Sequence, residues 1–106
     1  MADKPALSVA DNPAHRRYEA HLAGELAGFS QYRLEGDRVV VTHTQVDPAF
    51  EGGGVGSGLV RYLLDDIRRR ELKVVPLCPF VRSYIRRHPD YADLVAERGS
   101  AADPPA

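Results

Sequence analysis

The chain has 106 residues, 43% of them hydrophobic, and its 14 basic and 15 acidic residues leave a formal net charge of −1. A chain of this size forms one small domain, and its small net charge provides no overall field to attract nucleic acid or an anionic membrane. The single cysteine, Cys78, excludes an internal disulfide framework and a multi-cysteine zinc site, and it favours a reducing, cytoplasmic setting. We see no export signal and no membrane-spanning stretch in the sequence.

Alternating segments predict an antiparallel sheet in the first half of the chain. A short strand is expected at residues 7–10, before a turn at 11–13, and alternation of apolar and polar residues predicts a second strand at 17–22. A further strand is expected at Arg38–Val46. The turns are too short for crossover helices, so this strand, the strand at 17–22 and the strand between them should form a three-stranded antiparallel meander. One face of the strand that lies between the second strand and the strand at Arg38–Val46 is expected to carry Leu26, Gly28, Ser30, Tyr32 and Leu34.

After the meander the period changes to that of a helix. Apolar residues recur every four positions from Val55 to Ile67 and predict an amphipathic helix. A short strand at 73–78 contains Pro76, which indicates a sheet edge or a strand that splays from its neighbour, and Pro79 suits the first turn of a second helix. The prediction is an α/β (α+β) fold in which an antiparallel β-meander runs into β-α-β-α. The domain is expected to span residues 7–98, with flexible tails at 1–6 and 99–106.

A glycine-rich loop lies between the meander and the first helix, with glycines at 52, 53, 54 and 56. Glycines let successive backbone N–H groups converge, and a helix N-terminus adds about half a positive charge, so such a loop can hold a phosphate or pyrophosphate. The loop has no lysine, which excludes a P-loop, and its glycine spacing after antiparallel strands excludes a dinucleotide fingerprint. A flexible turn without a ligand is the alternative.

The loop also resembles a known motif. The run Glu51-Gly52-Gly53-Gly54-Val55-Gly56 is similar to the Gln/Arg-x-x-Gly-x-Gly/Ala motif of the GNAT superfamily of N-acetyltransferases. The run 75–81, with Tyr84-Ile85 and His88-Pro89 after it, resembles the short single-domain branch called YjdJ-like. One position departs from the motif, because Glu51 stands where Gln or Arg is usual, and an ionised carboxylate repels a nearby pyrophosphate.

The resemblance implies a minimal GNAT-like fold whose central sheet splays open to bind acetyl-CoA. The glycine loop would hold the pyrophosphate, and the pantetheine arm would lie in the gap of the sheet. Phe80 and Tyr84 would flank the thiol end of the cofactor. The cofactor-binding residues expected on this basis are Thr44, Val46, Gly52, Gly53, Gly54, Val55, Gly56, Ser57 and Phe80.

Three side chains are candidates for the chemistry of acetyl transfer. His43 has an imidazole suited to proton transfer near neutrality, although it could equally be a hydrogen-bonded surface residue. Cys78 could accept the acetyl group, donate a proton or simply pack. Tyr84 could protonate the departing thiolate or belong to the core. No metal site is expected, because the remaining histidines lack ligand spacing.

These observations predict direct transfer of an acetyl group from acetyl-CoA to a primary amine. So short a chain leaves little to build a closed acceptor pocket, which favours an exposed lysine or another protein amine. A coenzyme-binding module without efficient catalysis is the alternative. A weaker hypothesis, in which the arginines at 68–70, 82, 86 and 87 bind RNA, is disfavoured by the net charge of −1. We expect a monomer or weak dimer with no nucleic-acid or membrane partner.

Overall fold

The computed structural model describes residues 7–96, which form a five-stranded sheet covered by two helices. The sheet order follows the chain, β1-β2-β3-β4-β5, with the first four strands antiparallel and β5 parallel to β4. The strands are β1 Leu7–Asn12, β2 Arg17–Leu22, β3 Glu25–Glu35, β4 Arg38–Val46 and β5 Lys73–Pro76, and the helices are α1 Val55–Arg69 and α2 Pro79–Arg87. Short 3-10 turns occupy Pro13–His15, Pro48–Phe50 and Pro89–Leu94.

The predicted order of strands and helices is confirmed, with small differences at the N-terminal end. The first strand runs on to Asn12 because Asp11 and Asn12 pair with Tyr18 and Arg17 of β2, so the expected turn comes later, at Pro13. The meander therefore has four strands instead of the three expected, because β1 pairs with β2. The tails predicted at 1–6 and 99–106 lie outside the described residues, as do the last two residues of the predicted domain.

The prediction that one face of β3 carries Leu26 together with Gly28, Ser30, Tyr32 and Leu34 is wrong at Leu26. Ala20 lies opposite Gly28 whereas His21 lies opposite Leu26, so Ala27 is an extra residue that forms a β-bulge. The bulge reverses the alternation, which buries Ala27 and leaves Leu26 39% exposed. At the other end Leu34 is 57% exposed, close to the end of the strand.

The core lies between one face of the sheet and the two helices. Helix α1 buries a stripe formed by Val55, Leu59, Val60, Leu63, Leu64 and Ile67. These side chains, inward residues of the strands and the buried residues of α2 belong to a single hydrophobic cluster, so both helices cover the same face. Neither α1 nor α2, the two α-helices of residues 7–96, has the length and hydropathy of a membrane-spanning helix.

A buried polar cluster ties the C-terminal end of α1 to the sheet. The Tyr18 hydroxyl donates to Asp66 at 2.6 Å, and Asp66 is also paired with Arg69 and Arg70. Burial, together with the hydrogen bond to Asp66, raises the pKa of Tyr18 far above the ordinary phenol value. Both carboxylate oxygens of Asp66 have partners, because one is bound by Arg69 and the other by Tyr18 and Arg70. These contacts hold α1 in one orientation across the sheet.

Candidate active site

The sheet opens between β4 and β5 beyond Val41. Their parallel pairing ends where Val41 faces Pro76, and the N–H groups of Leu77 and Cys78 both donate to the Val41 carbonyl, at 3.0 and 3.1 Å. Beyond this point the segment that follows β5 turns away from β4, and the Arg82 guanidinium donates to the Leu77 carbonyl at 3.0 Å. Strand β4 continues to Val46 beside β3 alone. A gap therefore lies along the last residues of β4, as the proline in β5 indicated.

The backbone of β4 presents hydrogen-bonding groups to this gap. The Asp47 N–H donates to the Ala27 carbonyl of β3 at 2.8 Å, so Asp47 is directed toward β3. Successive residues of a strand direct their N–H and C=O groups to alternate sides. Thr44 and Val46 consequently direct theirs away from β3, into the gap. An extended ligand lying there would find a ready-made strand edge.

A bulge in β4 decides which side chains face the helices at this gap. Gln31 of β3 lies opposite His43, but Tyr32 lies opposite Val41, so Thr42 is an extra residue. Val41 is in the core beneath α1. Strict alternation would direct His43 to the same side, whereas the bulge directs Thr44 there instead.

The glycine loop leads from the gap to the start of α1. Gly52 and Gly54 have φ of +87° and +80°, the left-handed conformation that glycine adopts most readily, and Gly54 is the N-cap of α1. The first helical bond runs from the Gly58 N–H to the Gly54 carbonyl at 2.9 Å. The amides of Val55, Gly56 and Ser57 thus occupy the first turn, where N–H groups have no acceptor within the helix. The Gly53 amide is directed to the Phe50 carbonyl at 3.4 Å.

Phe80 joins the start of α2 to the start of α1. A Cβ on Gly56 would lie 2.6 Å from Phe80 Cζ, so glycine at 56 is what allows the ring to pack there. Phe80 is 38% exposed. The ring therefore lies beside the first turn of α1, on one wall of the gap, where the sequence predicted contact with a cofactor.

Three small polar side chains form a hydrogen-bonded chain at the mouth of the gap. The thiol of Cys78, the N-cap residue of α2, donates to Thr44 Oγ1 at 3.4 Å, and Thr44 Oγ1 is 2.8 Å from Ser30 Oγ. Cys78 is 3% exposed and Ser30 is fully buried. Sequence reasoning missed Ser30 as a functional residue, although a serine among apolar inward positions of a strand was a usable signal. Of the predicted site residues, the structure brings Cys78 and Thr44 into direct contact.

His43 and Tyr84 lie apart from the hydrogen-bonded chain of Cys78, Thr44 and Ser30. His43 is exposed on the sheet face opposite the helices, with Nε2 3.3 Å from Gln45 Oε1 and its ring 6.2 Å from that of Phe29. Tyr84 is buried on the inward face of α2, where its ring stacks on that of His88 with centroids 4.0 Å apart. The predicted catalytic residues are therefore distributed over both faces of the sheet and one helix.

The arginines considered for RNA binding are largely used within the chain. Arg68 is paired with Asp93, and Arg69 and Arg70 with Asp66. Arg82 binds backbone carbonyls at the end of β5. These contacts give the arginines a structural role and weaken the RNA hypothesis. In the described part of the chain, no group of three or more His, Cys, Asp or Glu residues could hold a metal ion.

Comparison with known proteins places this architecture in a family. The sequence profile of the GCN5-related N-acetyltransferases matches residues 17–94, which include the open sheet, the glycine loop and both helices. The chain belongs to the GCN5-related N-acetyltransferases. Among the GNAT proteins of known structure, a GCN5-like putative N-acetyltransferase from Staphylococcus aureus superposes with a TM-score of 0.64 at 20% identity, over 90% of this chain and 95% of that one. The predicted GNAT-like fold is thereby confirmed.

Other relatives match the GNAT chain over part of their length. The ribosomal-protein-S18-alanine N-acetyltransferase of Escherichia coli superposes with a TM-score of 0.52 at 22% identity, over 56% of this chain and 40% of that one. Protein NATD1 of Homo sapiens is 30% identical over 59 residues, which are 55% of this chain and 52% of that protein. The chain thus spans about half the length of the curated relatives that it matches.

Proposed function

We propose that this GNAT enzyme uses acetyl-CoA to acetylate a primary amine, and that the gap between β4 and β5 is its coenzyme site. The observation that carries the proposal is the alignment of three features: the free edge of β4, the glycine loop and the first turn of α1. Thr44 and Val46 direct backbone groups into the gap, and the amides of the α1 N-terminus lie at its end. Together they match an extended, amide-containing arm that ends in a pyrophosphate.

The residues of the site fit such a ligand chemically. Backbone amides bind a pyrophosphate without a charged side chain, so a chain of net charge −1 can hold a polyanion. The glycine at 56 allows the Phe80 ring to pack against the first turn of α1, beside the expected coenzyme site. Glu51 is exposed at the start of the loop, where its carboxylate would oppose the bound phosphates. When bound, acetyl-CoA supplies an acetyl group activated as a thioester.

The chain itself contributes orientation, polarisation and proton transfer. A backbone N–H at the β4 edge, on Thr44 or Val46, would polarise the acetyl carbonyl. The amine would approach from the sheet face opposite the helices, where His43 is exposed and can remove its proton. The new N–C bond forms as the C–S bond breaks, and Tyr84 or Cys78 would protonate the coenzyme thiolate. Cys78 could instead accept the acetyl group or serve only in packing.

The acceptor that we propose is an exposed amine, such as a protein lysine. Within residues 7–96 both helices lie on the same face of the sheet, so the face around His43 stays accessible to a large acceptor. We also propose a reducing, cytoplasmic setting, because Cys78 is a free thiol beside the site. The alternative, a coenzyme-binding module with little turnover, is favoured by Glu51 and by the separation of His43 from Cys78.

Thermal unfolding with and without acetyl-CoA tests the coenzyme site. Ligand at 100 times its dissociation constant should stabilise the protein by about 2.7 kcal/mol, and no shift at millimolar ligand would exclude both the enzyme and the module. Glu51→Arg should increase the shift. Glu71→Arg makes the same charge change beyond the far end of α1 and serves as the matched control. An equal effect of the two variants would mean that Glu51 does not face the phosphates.

Release of free coenzyme thiol with a panel of amines distinguishes the enzyme from the module. Turnover in the wild type with loss in His43→Ala supports the enzyme and the assignment of His43. Binding without turnover supports the module. Full activity in both His43→Ala and Cys78→Ala would remove both residues from the mechanism.

A further inference from the structure

Ser30 is a buried polar residue that the proposed mechanism does not use. It lies in the middle of β3, and Ser30 and Asp66 are the two buried polar or charged residues of the described chain. Asp66 is accounted for by its partners at the other end of α1. A buried hydroxyl is costly unless it is hydrogen-bonded. The Ser30 hydroxyl meets this requirement through Thr44, so its role is tied to that residue.

Thr44 links Ser30 to the gap. Ser30 and Thr44 lie opposite each other on β3 and β4. Because the Thr44 backbone is directed into the gap, the two residues form a non-hydrogen-bonded pair, the kind of antiparallel pair in which the side chains lie closer together. The β-branched side chain of threonine has few rotamers. The Thr44 hydroxyl is thereby held between Ser30 Oγ, at 2.8 Å, and Cys78 Sγ, at 3.4 Å.

The hydrogen-bonded chain of Cys78, Thr44 and Ser30 can run in either direction. A thiol and two hydroxyls carry three hydrogens for two hydrogen-bond links. With the thiol protonated, Cys78 donates to Thr44 and Thr44 donates to Ser30. Without the thiol proton, Ser30 donates to Thr44 and Thr44 donates to the sulfur. The hydrogen bonds among Cys78, Thr44 and Ser30 therefore support either protonation state of Cys78, and only the hydroxyl hydrogens need to rotate.

We propose that Ser30 is a positioning residue which, through Thr44, enables Cys78 to act as the proton donor to the departing coenzyme thiolate. The inference rests on the proposed function. The S–H bond of Cys78 breaks as an S–H bond forms on the coenzyme, and the sulfur of Cys78 keeps the electron pair. The amine proton that His43 removes passes to solvent, and Cys78 regains a proton from solvent once the coenzyme has left. The net transfer is one proton from the amine to the coenzyme.

The reactivity of the Cys78 thiol tests, without any coenzyme, whether the hydrogen-bonded chain from Ser30 through Thr44 acts on Cys78; we call this chain the relay. Because the chain has one cysteine, alkylation by iodoacetamide reports on this thiol alone. Thr44→Val removes the hydroxyl at nearly constant volume, and Thr44→Ser keeps it. We expect alkylation in Thr44→Val to be slower by about tenfold, the effect of one hydrogen bond to a charged sulfur, and Thr44→Ser to stay near the wild type. Equal rates in the two variants would overturn the proposal.

Kinetics with acetyl-CoA and a lysine-rich peptide test the catalytic consequence. We expect Ser30→Ala and Thr44→Val to lower kcat several-fold, with KM for acetyl-CoA nearly unchanged. In a Cys78→Ala background they should lower kcat no further. An undiminished effect in that background would overturn the proposal in favour of a purely structural role. The double variant Ser30→Ala with Thr44→Val leaves neither hydroxyl without its partner and controls for folding.

Two further outcomes separate the relay from the proposed function. If the wild type turns over no amine, the proposed function fails, while the alkylation rates still decide whether Thr44 and Ser30 act on the thiol. Mass spectrometry after incubation with acetyl-CoA checks for an acetylated Cys78. A covalent intermediate that forms and decays during turnover would overturn the assignment of Cys78 as proton donor.

Discussion

Gly28 is a position where one methyl group should measurably destabilise the protein. It lies in β3 opposite Val46, the last residue of the β4 edge. An alanine Cβ there would lie 2.8 Å from the Gln45 carbonyl oxygen and 3.3 Å from Val46 Cα. Both are backbone atoms held by the β3–β4 hydrogen bonds, so neither can rotate away. The two strands would have to separate beside the coenzyme gap.

The expected size of the effect follows from two opposing contributions. Overpacking of this kind costs about 1–3 kcal/mol, and the reduced freedom of the unfolded chain returns about 0.4–1 kcal/mol. A net loss of about 1–2 kcal/mol corresponds to a fall in Tm of about 5–15 °C for a domain of this size. Circular dichroism melts of Gly28→Ala and wild type at neutral pH measure this difference.

Gly53→Ala provides the matched control. Its methyl group would lie 3.5 Å from the Phe50 carbonyl oxygen, an ordinary contact, and its φ is not in the left-handed region. We expect a change within about 0.5 kcal/mol. A Gly28→Ala protein that melts at or above the wild-type temperature would refute the reasoning, because the strands would then have absorbed the methyl group without cost.

Three further predictions concern stability. Tyr18→Phe removes the hydrogen bond to Asp66 and should cost about 1–2 kcal/mol in urea denaturation; the exposed Tyr62→Phe is the control, and equal losses would contradict the account of the buried cluster. Burial raises the pKa of both Tyr18 and Tyr32 in the folded protein. A hydrogen bond raises each pKa further, to Asp66 in the case of Tyr18 and to Asp11 in the case of Tyr32. Their stabilisation is therefore complete below about pH 10, the ordinary phenol value, and is lost as the pH rises above it, by about 1.4 kcal/mol per pH unit for each tyrosine. Melts across this range should show a shallower decline in Tyr18→Phe, and parallel curves would disprove the assignment. Gly54→Ala places a side chain at φ +80° and should lower stability by about 1–2 kcal/mol in thermal melts, whereas an unchanged Tm would show that the loop relaxes freely.

Local patterns predicted much of the fold, and pairing between strands decided what they did not. The four-residue period from Val55 to Ile67 reflects one helix face and needs no tertiary information. Pro76 likewise indicated the opening of the sheet, because proline lacks a donor. The two bulges, at Ala27 and Thr42, arise from how many residues each strand places opposite its neighbour. No alternation rule contains that information.

The candidate site was predictable in its backbone and less so in its side chains. The glycines at 52–56 specify a loop that ends at a helix start, as the structure shows. The orientation of His43 and Thr44 depends on the bulge at Thr42, so sequence alternation alone could not assign them to opposite faces. The hydrogen bond between Ser30 and Thr44 joins residues 14 positions apart and becomes visible only once the register is known.

The way in which the sheet opens has a consequence for ligand binding. The Val41 carbonyl accepts two N–H groups from the chain beyond β5, and Arg82 binds the carbonyls of Pro76 and Leu77. The chain at the end of β5 thus has partners of its own, while the edge of β4 beyond Val41 stays free, so no strand pairing must be broken to admit a ligand. Such preorganisation reduces the cost of association. An arm entering the gap would gain hydrogen bonds from β4 without first breaking any, so we expect its association rate to be limited by encounter rather than by opening of the sheet.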